Sequence, residues 1–243
     1  MKILLIDSCG ATGSVALVDT VRSPMLVGSA SLPGRTASER LVPTIKELAA
    51  SSGVGLQSLE AIAVVHGPGS FTGVRVGLSA AKGLCEALSL PLIAISRLAV
   101  LASLAKVVGV DGQPYAERVH ALLDAGRGEF YCGLYEDGAC LREALLTREE
   151  LLAVQSAKEA QILVACEPSV AQSIAELSPQ LVDEPTAESA LPLALRRIEQ
   201  CDFDDPATID ANYLRRTDAE IFAKPIAAAA LSLHACLPER SAG

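Results

Sequence analysis

The chain has no tryptophan, and its eight phenylalanines and tyrosines make up only 3% of 243 residues. That leaves little material for a platform on which nucleic-acid bases stack. Positive charge is also in deficit: 20 Lys and Arg stand against 29 Asp and Glu, a formal charge of −9. Phosphate binding needs clustered Lys and Arg, so the chain is not expected to grip nucleic acid by itself. The longest apolar stretch, near Ile226 to Leu237, is shorter than the roughly 20 residues that span a bilayer. Only Ile3 to Ile6 separate Lys2 from Asp7, which is too short for the apolar core of a signal peptide. The seven cysteines are odd in number and contain no C-x-x-C. They match neither a disulfide framework nor a zinc site, and read as reduced, mostly buried thiols. A cytoplasmic protein with no membrane partner is expected. The three histidines (66, 120 and 234) are scattered, and neither H-E-x-x-H nor G-x-S-x-G occurs.

Half of the residues are apolar, too many for a disordered chain, and they supply a core of Leu, Val, Ile and Ala. The length fits one large or two small domains. Ile3 to Ile6 form a strand ending at Asp7, and Ser14 to Val18 form a second ending at Asp19. Val119 to Leu123 end likewise at Asp124, and Phe130 to Tyr135 run into Glu136-Asp137-Gly138. Both pairs read as hairpins. Leu41, Ile45 and Leu48 in the segment 38–50 lie at helical spacing, as do Leu151, Leu152 and Val154 in 148–160. Pro43 kinks the first helix or lies near its start. Ala61 to Val65 and Ile162 to Ala165 are buried strands, each followed by a Pro-containing turn and a helical segment. The pattern strand, strand, strand, helix, strand, helix is therefore present twice, a duplicated α/β unit.

The segment His66-Gly67-Pro68-Gly69-Ser70-Phe71-Thr72-Gly73-Val74-Arg75-Val76-Gly77 follows a strand and opens a helix running to about Leu88. A glycine turn at a helix N-terminus can present N–H groups to an anion, but the Gly-Lys-Ser/Thr ending of a P-loop is missing. Gly73, Gly77 and Gly83 each cost roughly 1 kcal/mol relative to alanine in a helix interior. Gly73, Gly77 and Ala81 share one face, which allows close approach of a neighbour. Either the chain's own sheet or a second subunit satisfies that face, and periodicity does not separate the two.

The run GPGSFTGVRVG at 67–77, continuing through Lys82-Gly83-Leu84, closely resembles the TsaB (YeaZ-like) family, dimerisation subunits of the bacterial machinery that makes threonylcarbamoyladenosine in tRNA. Ile6-Asp7-Ser8, Ser38-Glu39-Arg40-Leu41-Val42-Pro43, Asp124-Ala125-Gly126-Arg127-Gly128-Glu129 and Tyr213-Leu214-Arg215 resemble further family segments. The likeness spans about residues 3 to 216. Ala37, Gly126 and Ala211 stand where the family usually has His, Arg and Pro.

The resemblance implies two ribonuclease-H-like domains facing each other, as in the actin, sugar kinase and Hsp70 ATPases, at residues 1–104 and 105–218. A helix at about 219–237 would return to the first. In such ATPases an Asp-x-Gly turn lets phosphates approach the backbone. Cys9 stands at that glycine position, which compromises the cradle, and Asp7 is as well suited to capping a turn. The related catalytic subunit, TsaD, carries two metal-binding His at i and i+4. The matching positions here are Arg97 and Leu101, which cannot hold a metal. His66 has no visible catalytic partner.

The resemblance therefore implies a non-catalytic scaffold that pairs with a TsaD-like subunit through its first helix and its glycine-rich helix, and forms a homodimer through the same face when alone. Leu41, Ile45, Gly73, Val74, Gly77, Leu78 and Ala81 are the implied contacts, with Arg75 at the rim and Gly67, Pro68, Gly69, Ser70, Phe71 and Thr72 in the loop. A TsaE-like ATPase joins the pair, and tRNA is reached through the complex. Arg196-Arg197 and Arg215-Arg216, the paired cations, read as solvated. No cofactor or metal is assigned to this chain alone; ATP or ADP is left to the complex interface. Two other readings are a small ATPase or sugar-kinase-like enzyme, and a glycoprotease-like peptidase.

Overall fold

A computed structural model describes residues 1–33, 36–105, 118–155 and 161–214. The first unit begins with β1 (Lys2–Asp7), β2 (Gly13–Asp19) and β3 (Leu26–Leu32), followed by α1 (Ala37–Ser52), β4 (Ala61–Val65), α2 (Phe71–Leu88) and β5 (Leu92–Ile95). The short α3 (Arg97–Ser103) leads out of it. The second unit has β6 (Arg118–Gly126), β7 (Glu129–Glu136), β8 (Ala139–Thr147), α4 (Arg148–Gln155), β9 (Gln161–Ala165), α5 (Pro168–Ser173) and β10 (Gln180–Leu181). It closes with α6 (Leu191–Glu199).

The sheet orders are β3-β2-β1-β4-β5 and β8-β7-β6-β9-β10. In each, three antiparallel strands form a meander and two parallel strands are added at one side. The duplication read from the two Asp-terminated hairpins is thus a duplication of topology, and each unit is ribonuclease-H-like. The central strands carry unbroken apolar runs because both sheet faces are covered. β4 (AIAVV) is buried at every position. On one face of the first sheet, α1 and α2 pack side by side. Leu41, Ile45, Leu78, Ala81 and Cys85 meet Leu4, Ile6, Val15, Leu17 and Ile62 there. Pro43 lies inside α1, which starts six residues earlier at Ala37.

The strands of the first sheet fall within residues 1–104 and those of the second within 105–218, but the helices cross that line. On the other face of the first sheet, Ala190 and Ala194 of the α6 region join Ile3, Leu5, Ala63 and Ile93. α3 sits between the sheets: Val100 belongs to that same cluster, whereas Leu98 and Leu101 pack with Val119, Ala121, Leu123 and Val164 of the second sheet. Full burial of Leu98 and Leu101, at about 1.5–3 kcal/mol each, ties the two units together. The helix read at 219–237, Arg215-Arg216 and the connection at 106–117 lie outside the described residues. Among the described residues, no helix is long and apolar enough to cross a membrane.

Candidate functional site

Between the two sheets lies a cleft of about 600 Å³. Its floor is the turn after β1, its side is the N-terminus of α2, and its far wall comes from the ends of β6 and β9 through Leu123, Asp124 and Glu167. β1 ends in Asp7 because an Asx turn forms there: Asp7 Oδ1 accepts the Cys9 N–H at 2.8 Å. This is the turn-capping role open to Asp7 in the sequence. Burial raises the Asp7 pKa above its ordinary value, against the opposing charge of Arg97. Cys9 Sγ donates to the Val65 carbonyl at 3.1 Å, and burial raises its pKa well above the thiol value. Cys9 is therefore a protonated, packed thiol with none of the electropositive exposure of a nucleophile.

Arg97 opens α3 after the cap Ser96, whose hydroxyl accepts the Leu98 N–H. Only 5% of its side chain is exposed, and its Nη2 donates to Glu184 Oε1 at 2.8 Å. Burial works against its charge, but Asp7, Cys9, Cys166 and Glu184 outweigh that and hold its pKa above the ordinary value. Leu101 has no exposed surface. A buried, ion-paired cation and a core leucine do not fit a metal.

The glycine face of α2 turns inward. A Cβ on Gly73 would lie 1.9 Å from the Ser8 carbonyl oxygen, and one on Gly77 would lie 2.3 Å from Ser8 Oγ. Ser8 Oγ donates to the Gly73 carbonyl at 2.7 Å, and Ser70 N–H donates to the Cys9 carbonyl at 2.9 Å. The chain's own β1–β2 turn, and not a second subunit, occupies that face. Leu41, Ile45, Val74, Leu78 and Ala81, read as partner contacts, are all 4% exposed or less. Their helical spacing marks the core stripe, and a core stripe and an interface stripe have the same period. Of the loop positions, Gly67 and Pro68 are buried, and Gly69 is half-buried.

What the two helices leave exposed is different. Phe71 is 52% exposed and Tyr213 is 41% exposed. Their ring centroids lie 5.7 Å apart, and the Arg75 guanidinium lies 3.5 Å over the Phe71 ring and 5.6 Å from that of Tyr213. Ser79 and Gly83 continue the row, and a Cβ on Gly83 would meet nothing within 4 Å. On α1, Val42 is 42% exposed.

The segment carrying Tyr213 is pinned. Asn212 N–H donates to the His66 carbonyl at 2.8 Å, and Lys82 Nζ donates to the Ile209 carbonyl at 2.7 Å. Asn212 Nδ2 donates to Glu143 Oε2 at 2.6 Å, and Glu143 Oε1 accepts from Ser96 Oγ at 2.5 Å and from the Tyr135 hydroxyl. His66 meets a backbone carbonyl, Asp210 O, at 3.0 Å. Arg197 is not a solvated cation: it bonds Asp202, Asp204 and the Ala94 carbonyl. Glu143, Glu184 and the Asn212 clasp were not found in the sequence, since an isolated Glu or Asn far along the chain carries no local signal. Arg75 and Tyr213 were named, but their meeting was not. Of the six described cysteines, Cys140 and Cys201 are exposed.

The sequence model of the TsaD family, tRNA N6-adenosine threonylcarbamoyltransferase, matches residues 31–172. The tRNA threonylcarbamoyladenosine biosynthesis protein TsaB of Escherichia coli is 36% identical over 138 residues, 56% of this chain and 55% of that protein. TsaB of Bacillus subtilis is 34% identical over 138 residues, 56% of each. The chain thus spans about half the length of the curated relatives it matches. A crystal structure from Pseudomonas aeruginosa, described as an uncharacterized protein with similarity to peptidase YEAZ, superposes with a TM-score of 0.70 at 30% identity. That match covers 88% of this chain and 99% of the other.

Proposed function

We propose that this chain, which belongs to the tRNA N6-adenosine threonylcarbamoyltransferase (TsaD) family and to its TsaB-like members, acts in threonylcarbamoyladenosine biosynthesis as a non-catalytic partner subunit. It binds a TsaD-like enzyme and supports transfer of a threonylcarbamoyl group to N6 of the tRNA adenosine beside the anticodon. A TsaE-like ATPase joins the pair, tRNA is reached through the complex, and the same surface forms a homodimer when the enzyme is absent.

One observation carries the reading. The outer face of α2, together with Tyr213 of the segment pinned beside it, exposes a stacked Phe71–Arg75–Tyr213 cluster in a chain otherwise poor in aromatics. Tyrosine and arginine are enriched among the residues that dominate binding energy at protein interfaces. Gly83 adds a second feature: it forfeits roughly 1 kcal/mol of helix propensity on open surface, a loss that close approach of a partner helix would offset. The contact surface is thus assigned to Val42, Phe71, Arg75, Ser79, Gly83 and Tyr213, in place of the buried stripe. Arg97 and Leu101, at the positions of the enzyme's metal ligands, support the non-catalytic role.

The test is reconstitution of the tRNA modification from purified components with and without this chain. Modification that needs the chain, together with no hydrolysis of ATP or peptide by the chain alone, is the expected result. Full modification without it, or robust hydrolysis by the isolated chain, overturns the reading.

A further inference from the structure

The partner surface assigned above lies on α1 and α2 of the first unit, except for Tyr213. That residue is where the second unit reaches the surface. Glu143 stands half-buried on β8 of the second sheet. Its Oε1 accepts Ser96 Oγ at 2.5 Å and the Tyr135 hydroxyl, and its Oε2 accepts Asn212 Nδ2 at 2.6 Å. Burial, with the charge of Glu143, raises the Tyr135 pKa and keeps that hydroxyl a donor. Donors from β7, from the cap of α3 and from the chain after α6 thus converge on one carboxylate. An ionised carboxylate only accepts, and hydrogen bonds to it are stronger than those between neutral groups.

Asn212 is the central residue of a γ-turn, in which Tyr213 N–H donates to the Ala211 carbonyl at 2.9 Å. The Asn212 N–H donates to the His66 carbonyl at 2.8 Å, just past β4. The backbone bond ties the turn to the first unit, and the side chain ties it to the second. One bond alone would fix the path of the chain and leave the turn free to pivot; the second removes that freedom. Leu214, next along, packs with Leu98 and Val119 against the second sheet. Both neighbours of Tyr213 therefore reach the second unit, while its own ring lies 5.7 Å from that of Phe71 on α2 and is largely open to solvent.

We infer that Glu143 is a positioning residue for partner binding: through Asn212 it presets Tyr213 against Phe71 and Arg75, so that the second sheet governs the affinity of a surface carried by α1 and α2. This rests on the partner-surface reading. A ring already held in its bound position loses less freedom on association than one that must be ordered.

The test measures the affinity of the full chain for the purified TsaD-like subunit, alongside the unfolding midpoint. Asn212→Ala cuts the link and leaves Ser96 and Tyr135 on Glu143. It is expected to fold and to bind about threefold to tenfold more weakly, the cost of ordering one side chain on binding. In a Tyr213→Ala background the same substitution should cost nothing further, because no ring is left to place. A merely structural clasp would lower the midpoint in both backgrounds without this non-additivity in affinity. Asn212→Asp sets two carboxylates against each other and should weaken binding by a similar factor. Adding Glu143→Gln turns that contact into an amide donating to a carboxylate, with the amide oxygen left for Ser96 and Tyr135, and should restore wild-type affinity. Wild-type affinity in Tyr213→Ala or in Asn212→Ala, an additive loss when the two are combined, or no recovery in the exchanged pair overturns this inference. The partner surface itself falls only if Tyr213→Ala, Phe71→Asp and Arg75→Glu all bind as the wild type does.

Discussion

Gly73 approaches Ser8 so closely that any Cβ on it would lie 1.9 Å from the Ser8 carbonyl oxygen, while Ser8 Oγ donates to the Gly73 carbonyl at 2.7 Å. The neighbour is backbone and cannot swing aside. Gly73→Ala should therefore cost about 1–3 kcal/mol through overpacking. Gly83→Ala, in open space on the same helix, should add about 1 kcal/mol through helix propensity. Urea unfolding of the two variants checks the opposite signs.

Leu41 and Leu78 lie in the core between the helices and the first sheet. Leu41→Ala and Leu78→Ala should each lose about 2–5 kcal/mol, from lost transfer energy and the cavity left behind. Leu78→Asp should not give a folded protein, since an unpaired charge would be buried. Unchanged unfolding midpoints in the alanine variants would contradict this placement.

His120 is 1% exposed, and burial, assisted by the charge of Arg118, pushes its pKa below 6.5. The unfolded chain then takes up the proton before the folded one does. Stability should fall as pH drops from about 6.5 toward the depressed folded value, and this contribution should be fully present above 6.5. The difference in unfolding free energy between wild type and His120→Gln, followed from pH 7.5 to about 5, isolates it. A difference independent of pH contradicts the assignment.

Arg197 ties α6 to the edge of the first sheet through Asp204 and the Ala94 carbonyl. Asp204 itself accepts the Ala94 N–H at 2.6 Å. Arg197→Met should destabilise by about 1.5–3 kcal/mol, the usual range for hydrogen bonds to charged groups. Arg196→Met should change little, because its hydrogen bond to the Asp137 carbonyl is a long one, at 3.5 Å. Thermal unfolding of both variants separates a structural arginine from a solvated one.

Much of the fold was legible because its signals are local. The two Asp-terminated hairpins, the all-apolar β4 and the glycine-rich start of α2 each announce an element, and their repetition announces the duplication. The swap of α3 and α6 between sheets was not legible, since a seven-residue helix such as α3 buries different residues on opposite sides and shows no single stripe. The site was legible only in outline. Arg97 was read as a lost metal ligand, but its partner Glu184 lies 87 positions away and no spacing rule connects them. The glycine face was read correctly as demanding close approach. Its occupant, Ser8, depends on a sheet register that only the folded chain defines.

The central claim is that the exposed outer face of α1 and α2 binds the TsaD-like subunit. The most direct measurement is the affinity of the purified complex for Phe71→Asp, Arg75→Glu and Tyr213→Ala, each shown by its unfolding midpoint to remain folded. The account predicts losses of about 2 kcal/mol or more for at least two of the three, the size expected of interface hot spots, with unfolding midpoints close to that of the wild type. Wild-type affinity in all three folded variants would contradict it.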